Sequence, residues 1–145
     1  TWIDNFEYNF SFGFHRLAIN GLDPNSDQPI NFENIKLICN GEIFNYQELY
    51  NELNINPKTN SDCEVIIHLY KNYGIEQTLQ MLDGEFSFIL FDSDKQVMYV
   101  CRDPYGIRPL YLYNNKAKQI IGFASELKCL TNIDNIYYDK ENENL

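Results

Sequence analysis

The alternation of apolar and polar residues near the beginning of the chain predicts strand structure. Phe10, Phe12 and Phe14 are separated by single residues, the period-two pattern of a strand that is buried on one face. A second short apolar stretch covers residues 17–19. Residues 21–29 ("GLDPNSDQP") are rich in Pro, Asp, Asn and Gly, and this composition predicts a loop.

A strand, a turn and a helix are predicted next. The apolar run "IKLIC" (residues 35–39) is bounded by polar residues and has the length of a strand. In "YQELYNEL" (residues 46–53), Leu49 and Leu53 recur at helical spacing. We interpret residues 40–42 (Asn-Gly-Glu) as the turn between them, because Asn-Gly is a common turn dipeptide and Gly tolerates positive φ.

A longer helix is predicted over "SDCEVIIHLYKNYG" (residues 61–74). Ser61 and Glu64 fit the spacing of a capping box, and an apolar face runs to Gly74, where we expect the helix to end. The segment "IEQTLQML" (residues 75–82) is predicted as a further short helical piece.

Four further strands are predicted after residue 84, joined by short turns such as "SDK" and "NNK". They are "EFSFILFD", "QVMYVC", "PLYLY" and "QIIGFA". Short connections imply antiparallel neighbours. Two helices among antiparallel strands predict an α+β fold with helices packed on a sheet face, rather than a doubly wound parallel fold.

The composition narrows the classes of function. Lys plus Arg total 11 against 21 Asp plus Glu, a formal net charge of -10, so no basic surface is expected to bind nucleic acid. No apolar run is long enough for a membrane span, and the chain is expected to be soluble and intracellular. The four cysteines are widely spaced and are predicted to be buried free thiols: Cys39, Cys63, Cys101 and Cys129. His15 and His68 are too few and too far apart to predict a metal site.

The Asn-Gly pair also has a functional interpretation. An outward-facing Asn40 carboxamide and the neighbouring backbone N–H are two donors that suit a developing oxyanion, and Glu42 adds an acceptor for a cation. Arg16 is either a surface arginine or a carboxylate clamp. Asp62, in the first turn of a predicted helix, has a capping role as its simplest explanation. These alternatives stay open on the residues alone.

The ordered set of motifs resembles a known family. In sequence these are "FHRLAI", "NGEIFNY", "SDCEVIIHLYKNYG", "LDGEFSFILFD", "RDPYGIRPLY" and "FASELKCL". Together they resemble the glutaminase domain of glutamine-hydrolysing asparagine synthetases, a class II glutamine amidotransferase domain. The resemblance covers roughly residues 10–130. It implies a fold of the N-terminal-nucleophile hydrolase type, in which antiparallel sheets are flanked by helices. Amidophosphoribosyltransferases share a segment like "RDPYGIRPLY" and are the near alternative.

The resemblance implies a role for each site residue. Arg16 binds the α-carboxylate of L-glutamine, and Leu17, Ala18, Ile19 and Asn20 line the same edge; the family usually has Ser in place of Ala18. The side chain of Asn40 and the N–H of Gly41 form the oxyanion hole. Glu42 and Asp62 hold the substrate ammonium group.

The resemblance also implies parts that these residues do not supply. In the family an N-terminal cysteine attacks the carboxamide and its own α-amine serves as base, whereas this chain begins with Thr1. We therefore expect residues 1–130 to be an incomplete amidotransferase domain that does not hydrolyse glutamine alone, and residues 131–145 to be a polar tail or a severed continuation. ATP and Mg²⁺ are expected only in a separate synthetase domain, and no cofactor is expected here. A cytoplasmic location, a homodimer, and a non-catalytic glutamine-binding relic as the alternative function are further expectations.

Overall fold

A computed structural model describes residues 10–15, 24–131 and 133, together with the backbone of residues 2–5. The strands are β1 (Trp2–Asn5), β2 (Phe10–Gly13), β3 (Ile30–Phe32), β4 (Ile35–Ile43), β5 (Gly84–Asp92), β6 (Val97–Arg102), β7 (Tyr111–Asn115) and β8 (Ile120–Ala124). The α-helices are α1 (Tyr46–Leu53) and α2 (Val65–Met81), and short 3-10 helices cover Pro24–Ser26, Asp62–Glu64 and Leu127–Leu130. These elements confirm the α+β fold class.

The chain divides into two compact units, residues 1–107 and 108–145. In the first unit β3, β4, β5 and β6 form one antiparallel sheet in that order, and β1 pairs with β2 in a separate hairpin. In the second unit β7 pairs antiparallel with β8, and the side chains of Leu130 and Ile133 come close to Gly122 in β8. The four strands predicted after residue 84 are thus confirmed.

The core lies on the face of the four-stranded sheet that carries both α-helices. Leu37 on β4 and Phe88 and Leu90 on β5 are almost completely buried, as are Ile66 and Leu69 on α2. The apolar residues of α2 cluster in its first half because this half lies against the sheet. Burial of side chains of this size contributes about 1.5–3 kcal/mol each, so this face is the main source of stability in the first unit.

The two predicted helices form with one difference. Helix α1 has the predicted bounds and is followed by Asn54, which caps it in the left-handed conformation with φ of 53°. Helical structure continues through the predicted end at Gly74 to Met81, but Gly74 itself has φ of 78° and ψ of 174° and kinks the helix. The sequence therefore predicted correctly both the break at Gly74 and the further helical piece after it, and the only difference is that this piece ends at Met81 and not at residue 82. None of the helices in the described residues is long and apolar enough to cross a membrane.

Candidate active site

Residues 40–42 lie inside a strand, so the predicted turn is wrong. Strand β4 continues from Ile35 to Ile43, and residues 40–42 pair with residues 85–87 of β5 in an unbroken antiparallel register. The turn lies instead at Phe44 and Asn45, immediately before α1. The Asn45 side chain bonds to Met81 O and to the N–H of Asp83, which joins this turn to the end of α2. The Asn-Gly pair at residues 40–41 is therefore part of a strand and does not form a turn.

One edge of β4 pairs with β5 along the whole strand, and side chains bind the opposite edge near its C-terminal end. The Cys39 N–H donates to Gln28 Oε1 at 2.6 Å, and Gln28 Nε2 donates to Cys39 O at 2.9 Å. The Ile43 N–H donates to Asp62 Oδ2 at 2.7 Å. Along a strand, the N–H groups of every second residue point to the same side. The N–H of Gly41 therefore points to this same edge, between two positions that side chains hold.

The hydrogen bonding of Phe86 on β5, the Cα partner of Gly41, supports this direction of the Gly41 N–H. The Phe86 carbonyl accepts from the Asp103 N–H at 2.8 Å, so the backbone polar groups of Phe86 are directed toward the β6 side and away from β4. Gly41 and Phe86 are Cα partners and thus form a non-hydrogen-bonded pair, the type in which the backbones approach most closely. A Cβ on Gly41 would lie 2.1 Å from Glu85 O and 2.6 Å from Phe86 Cα. Glycine is required here by the close approach of β5 and not by a turn.

The side chains of Asn40 and Glu42 lie on the sheet face opposite to the helices. Side chains alternate along a strand, and Cys39 and Ile43 occupy the buried, helix-covered face. Asn40 is opposite Ser87, and Glu42 is opposite Glu85. Two carboxylates at directly opposed positions repel each other, and a cation between them relieves this repulsion. The opposed carboxylates of Glu42 and Glu85 therefore make this part of the face acidic.

Asp62 lies in the short 3-10 helix before α2 and is only 5% exposed. Its Oδ2 atom accepts from the Ile43 N–H, and Cys63 Sγ lies 3.8 Å from the same oxygen. Within the part of the chain that the structure describes, the hydrogen bonds to Asp62 all fall on Oδ2. Because Asp62 bonds to Ile43, the residue after Glu42, its other carboxylate oxygen lies near this end of β4 and can accept a hydrogen bond from an ammonium group. Asp62 is thus a link to β4 rather than a simple helix cap.

The predicted capping box between Ser61 and Glu64 does not form. Ser61 Oγ accepts from the Cys63 N–H at 3.3 Å, while the carboxylate of Glu64 accepts from the N–H groups of Lys58 and Thr59 at 2.9 and 2.6 Å. His68 Nε2 lies 2.9 Å from Glu64 Oε1. Burial opposes the ionisation of Glu64, but these hydrogen bonds prevail and lower its pKa to about 2. The charged Glu64 therefore fixes the loop that leads into Asp62.

In the segment "RDPYGIRPLY", residues 103–107 form a loop directly after β6 that is held by hydrogen bonds, as the Pro and Gly content predicted. Asp103 is buried, and its Oδ1 accepts from the N–H groups of Tyr105 and Ile107 at 3.0 Å each. The Arg102 guanidinium donates to the carbonyl of Gly106. Arg102, the last residue of β6, is the Cα partner of Ser87 on β5, and Ser87 is the Cα partner of Asn40 on β4. The loop therefore begins at the level of Asn40 in the sheet, two strands away from it.

The cysteines are partly as predicted. All four are free thiols, and Cys39 and Cys63 are buried, but Cys101 is half-buried and Cys129 is exposed, so the prediction is wrong for Cys129. A contact with the Cys39 thiol, burial and the nearby Asp62 carboxylate raise the pKa of Cys63 well above its usual value. Burial raises the pKa of Cys101 to about 11. Thiols in such environments are weak nucleophiles at neutral pH.

The structure brings together four of the predicted site residues. Asn40, Gly41 and Glu42 follow one another on β4, and Asp62 joins them through Ile43. Arg16, Leu17, Ala18, Ile19 and Asn20 lie outside the described residues. In the described part of the chain, no group of three or more His, Cys, Asp or Glu side chains could hold a metal ion. Sequence reasoning missed Gln28, because its loop had no periodic signal that would single out one side chain.

Comparison with known proteins identifies the relatives of this chain. The model of the glutamine amidotransferase domain family matches residues 1–145. A probable glutamine-hydrolysing asparagine synthetase of Acanthamoeba polyphaga mimivirus is 43% identical over 126 residues, which are 83% of this chain and 22% of that protein. The asparagine synthetase of Gallus gallus is 41% identical, and a putative asparagine synthetase of Methanocaldococcus jannaschii is 44% identical. These alignments cover 86% and 84% of this chain, respectively, and 22% of each relative. The chain therefore spans about a fifth of the length of these relatives.

A solved structure of the glutamine phosphoribosylpyrophosphate (PRPP) amidotransferase from B. subtilis, complexed with ADP and GMP, is similar to this chain with a TM-score of 0.54 and 29% identity. The similarity covers 63% of this chain and 23% of that one. The match of the family model along the whole chain, together with the identities to these relatives, leads to one conclusion: the chain belongs to the glutamine amidotransferase domain family.

Proposed function

We propose that this chain is the glutaminase part of an asparagine synthetase, in which ammonia released from L-glutamine amidates aspartate in an ATP-dependent reaction. The observation that supports the proposal most strongly is the C-terminal end of β4. There the Gly41 N–H is directed to an edge between Cys39, held by Gln28, and Ile43, held by Asp62. A backbone donor next to an Asn side chain and two carboxylates matches the polar groups of an amino acid with a side-chain carboxamide.

The proposed roles follow the resemblance stated above. The Arg16 guanidinium binds the α-carboxylate, and residues 17–20 line the pocket beside it. Glu42 and Asp62 bind the ammonium group. The N–H of Gly41 and the carboxamide of Asn40 bind the side-chain oxygen of glutamine, which becomes an oxyanion during hydrolysis; in comparable sites one such donor contributes about 3 kcal/mol.

The proposed hydrolysis needs a thiol nucleophile. Its sulfur forms a thioester with the glutamine side chain, ammonia leaves with a proton from the α-amine that served as base, and water then releases glutamate. Cys63 and Cys101 do not suit this role because their raised pKa values keep them as thiols at neutral pH. We assign the nucleophile to an N-terminal cysteine upstream of Thr1, and ATP and Mg²⁺ to a synthetase domain in the same protein.

Calorimetry with L-glutamine tests the proposal on the chain itself. Saturable binding is expected, and Arg16→Ala should weaken it at least tenfold because the carboxylate loses its partner. Asp62→Asn is a sharper variant, since an amide oxygen can still accept from the Ile43 N–H while the charge that attracts the ammonium group is gone. L-glutamine binding that neither substitution weakens contradicts the proposed pocket.

A glutaminase assay tests the assignment of the nucleophile. The isolated chain should release no ammonia from glutamine, whereas a version preceded by a cysteine-bearing N-terminal segment should do so. Equal activity of the two versions contradicts the assignment. Binding without hydrolysis in both versions favours the alternative function, a non-catalytic glutamine-binding relic.

An amidophosphoribosyltransferase-type domain is the second candidate, supported by the structural similarity to the B. subtilis enzyme. The identities of 41–44% to asparagine synthetases, against 29% to that enzyme, favour the first candidate. A homodimer and a cytoplasmic location are part of the proposal, and size-exclusion chromatography of the chain tests the former.

A further inference from the structure

Gln28 occupies a special position relative to the sheet. Strand β3 pairs with β4 in an antiparallel register in which Ile30 is opposite Leu37. If this register continued, Gln28 would be opposite Cys39. Strand β3 begins only at Ile30, however, and the side-chain amide of Gln28 bonds to both backbone groups of Cys39. A carboxamide carries the same donor and acceptor as a peptide group, so this side chain takes the place of a strand residue.

This replacement has a consequence for Gly41. A strand that continued past residue 28 would bring its backbone opposite Gly41 and would bond to its N–H. Because the side chain of Gln28, and not its backbone, reaches β4, the main chain turns away from the edge one pair earlier. Cys39 keeps its hydrogen bonds, although it is only 2% exposed, and among the residues that the structure describes none bonds to the N–H of Gly41, which is available to a ligand.

We propose that Gln28 is a positioning residue of the glutamine site: its amide ends the β3–β4 ladder at Cys39 and holds the Gly41 N–H at the open edge of β4, directed at the side-chain oxygen of bound L-glutamine. The proposal rests on the proposed function. Gln28 touches neither the substrate nor the nucleophile and acts through the backbone of residues 39–41. Its 6% exposure and its two hydrogen bonds restrict it to one orientation.

The first test measures amide hydrogen exchange in the chain without ligand. In the wild type, the amide of Cys39 should be as well protected as those of Ile38 and Asn40, which point to β5. Gln28→Met retains the length of the side chain and removes both polar groups, and it should speed exchange at Cys39 at least about tenfold relative to Ile38 and Asn40. Ser26→Ala is the matched control. It removes another buried side chain of the same loop, which accepts from the Asn60 N–H, and should leave this ratio unchanged.

The second test compares two ligands by calorimetry. L-norvaline retains the α-carboxylate and the ammonium group of L-glutamine and lacks the carboxamide. Gln28→Met should weaken L-glutamine about tenfold and leave L-norvaline within twofold, since only the contact to the side-chain oxygen depends on Gly41. Gln28→Glu, which retains the acceptor for the Cys39 N–H and loses the donor, should fall between wild type and Gln28→Met, and it replaces Gln28→Met if that variant does not fold.

The outcomes separate this inference from the proposed function. Unchanged exchange at Cys39 in the Gln28 variants overturns the inference whether or not glutamine binds. Faster exchange at Cys39 with equal weakening of both ligands, or of neither, also overturns it, because Gln28 then stabilises the strand without positioning the Gly41 N–H. A wild-type chain that binds neither ligand contradicts the proposed function, while the exchange data still decide whether Gln28 holds Cys39.

Discussion

The two halves of β4 differ in how their outer edge is covered. Residues 35–37 pair with β3 on one side and with β5 on the other, so backbone groups satisfy both edges. Residues 39–43 pair with β5 in the same register, but side chains cover the opposite edge, Gln28 at Cys39 and Asp62 at Ile43. The first half is ordinary sheet. In the second half, the backbone donor of Gly41 is directed to the edge between the two side-chain contacts and bonds to none of the residues in the ranges that the structure describes.

The difference shows how one strand can serve both stability and recognition. A continuous ladder satisfies every backbone group and leaves none for a ligand. Side-chain contacts at alternate edge positions also satisfy the backbone, but each contact ends at one residue and leaves a gap beside it. Because β5 continues along the whole strand, the position of Gly41 is fixed even where β3 has ended. The predictions below test this contrast, beginning with the largest expected effect.

Substitution of Gly41 by alanine should have the largest effect. The new Cβ would lie 2.1 Å from the Glu85 carbonyl oxygen, and β4 and β5 would have to separate. We expect a loss of about 4 kcal/mol in the free energy of unfolding, measured by urea denaturation. Gly74→Ala is the control: a Cβ there meets no atom within 4 Å, and only the positive φ opposes it, at a cost of about 1 kcal/mol. Equal losses would contradict the close approach of the two strands.

A pair of substitutions separates the two halves of β4. Leu37 is completely buried, and Leu37→Ala should cost about 3 kcal/mol in the free energy of unfolding. Asn40→Ala lies on the half-buried face and should cost less than about 1 kcal/mol while it weakens the binding of L-glutamine. Denaturation and calorimetry on both variants check this. A large stability loss with unchanged binding for Asn40→Ala would assign that residue to the fold alone.

Glu64→Gln should make the loop before Asp62 less stable in a pH-dependent manner. The pKa of Glu64 in the folded chain is about 2, below its ordinary value of 4.5, so its stabilisation is present above pH 4.5 and is lost as the pH falls toward 2. The expected difference in unfolding free energy is about 2–3 kcal/mol at pH 7. Denaturation of both proteins between pH 7 and pH 3 should show this difference shrinking. A difference that is constant over this range would assign the effect of Glu64 to shape rather than charge.

The sequence predicted most of the elements because their signals are local. The alternation of Phe10 and Phe12 and the helical spacing of Leu49 and Leu53 each depend on burial of one face, and the structure has a strand and a helix there. The break at Gly74 was also predicted, since glycine accepts the positive φ that a kink needs. The helical piece predicted over residues 75–82 is present as the part of α2 after the kink, whereas the three residues of β3 (Ile30–Phe32) are too few for a periodic signal and were not predicted.

The site was harder to predict because its contacts join distant segments. The turn interpretation of Asn40-Gly41 was wrong because local propensity favours turns for this pair, whereas pairing with residues 86–87 of β5 overrides it. The carboxylates of Asp62 and Glu64 bind backbone groups at residue 43 and at residues 58–59, which no local capping rule predicts. The resemblance to a family named the site residues, but it did not reveal the contact of Gln28 with Cys39.

The most direct measurement of the central claim is a map of amide chemical shifts in the isotope-labelled chain as L-glutamine is added. The amides of Gly41, Glu42 and Ile43 should move with the same saturation curve, while those of residues 35–37, which are paired on both edges, should stay in place. If glutamine moves the amides of both halves of β4 equally, or leaves Gly41 unchanged while it saturates elsewhere, the open edge at Gly41 is not the glutamine site.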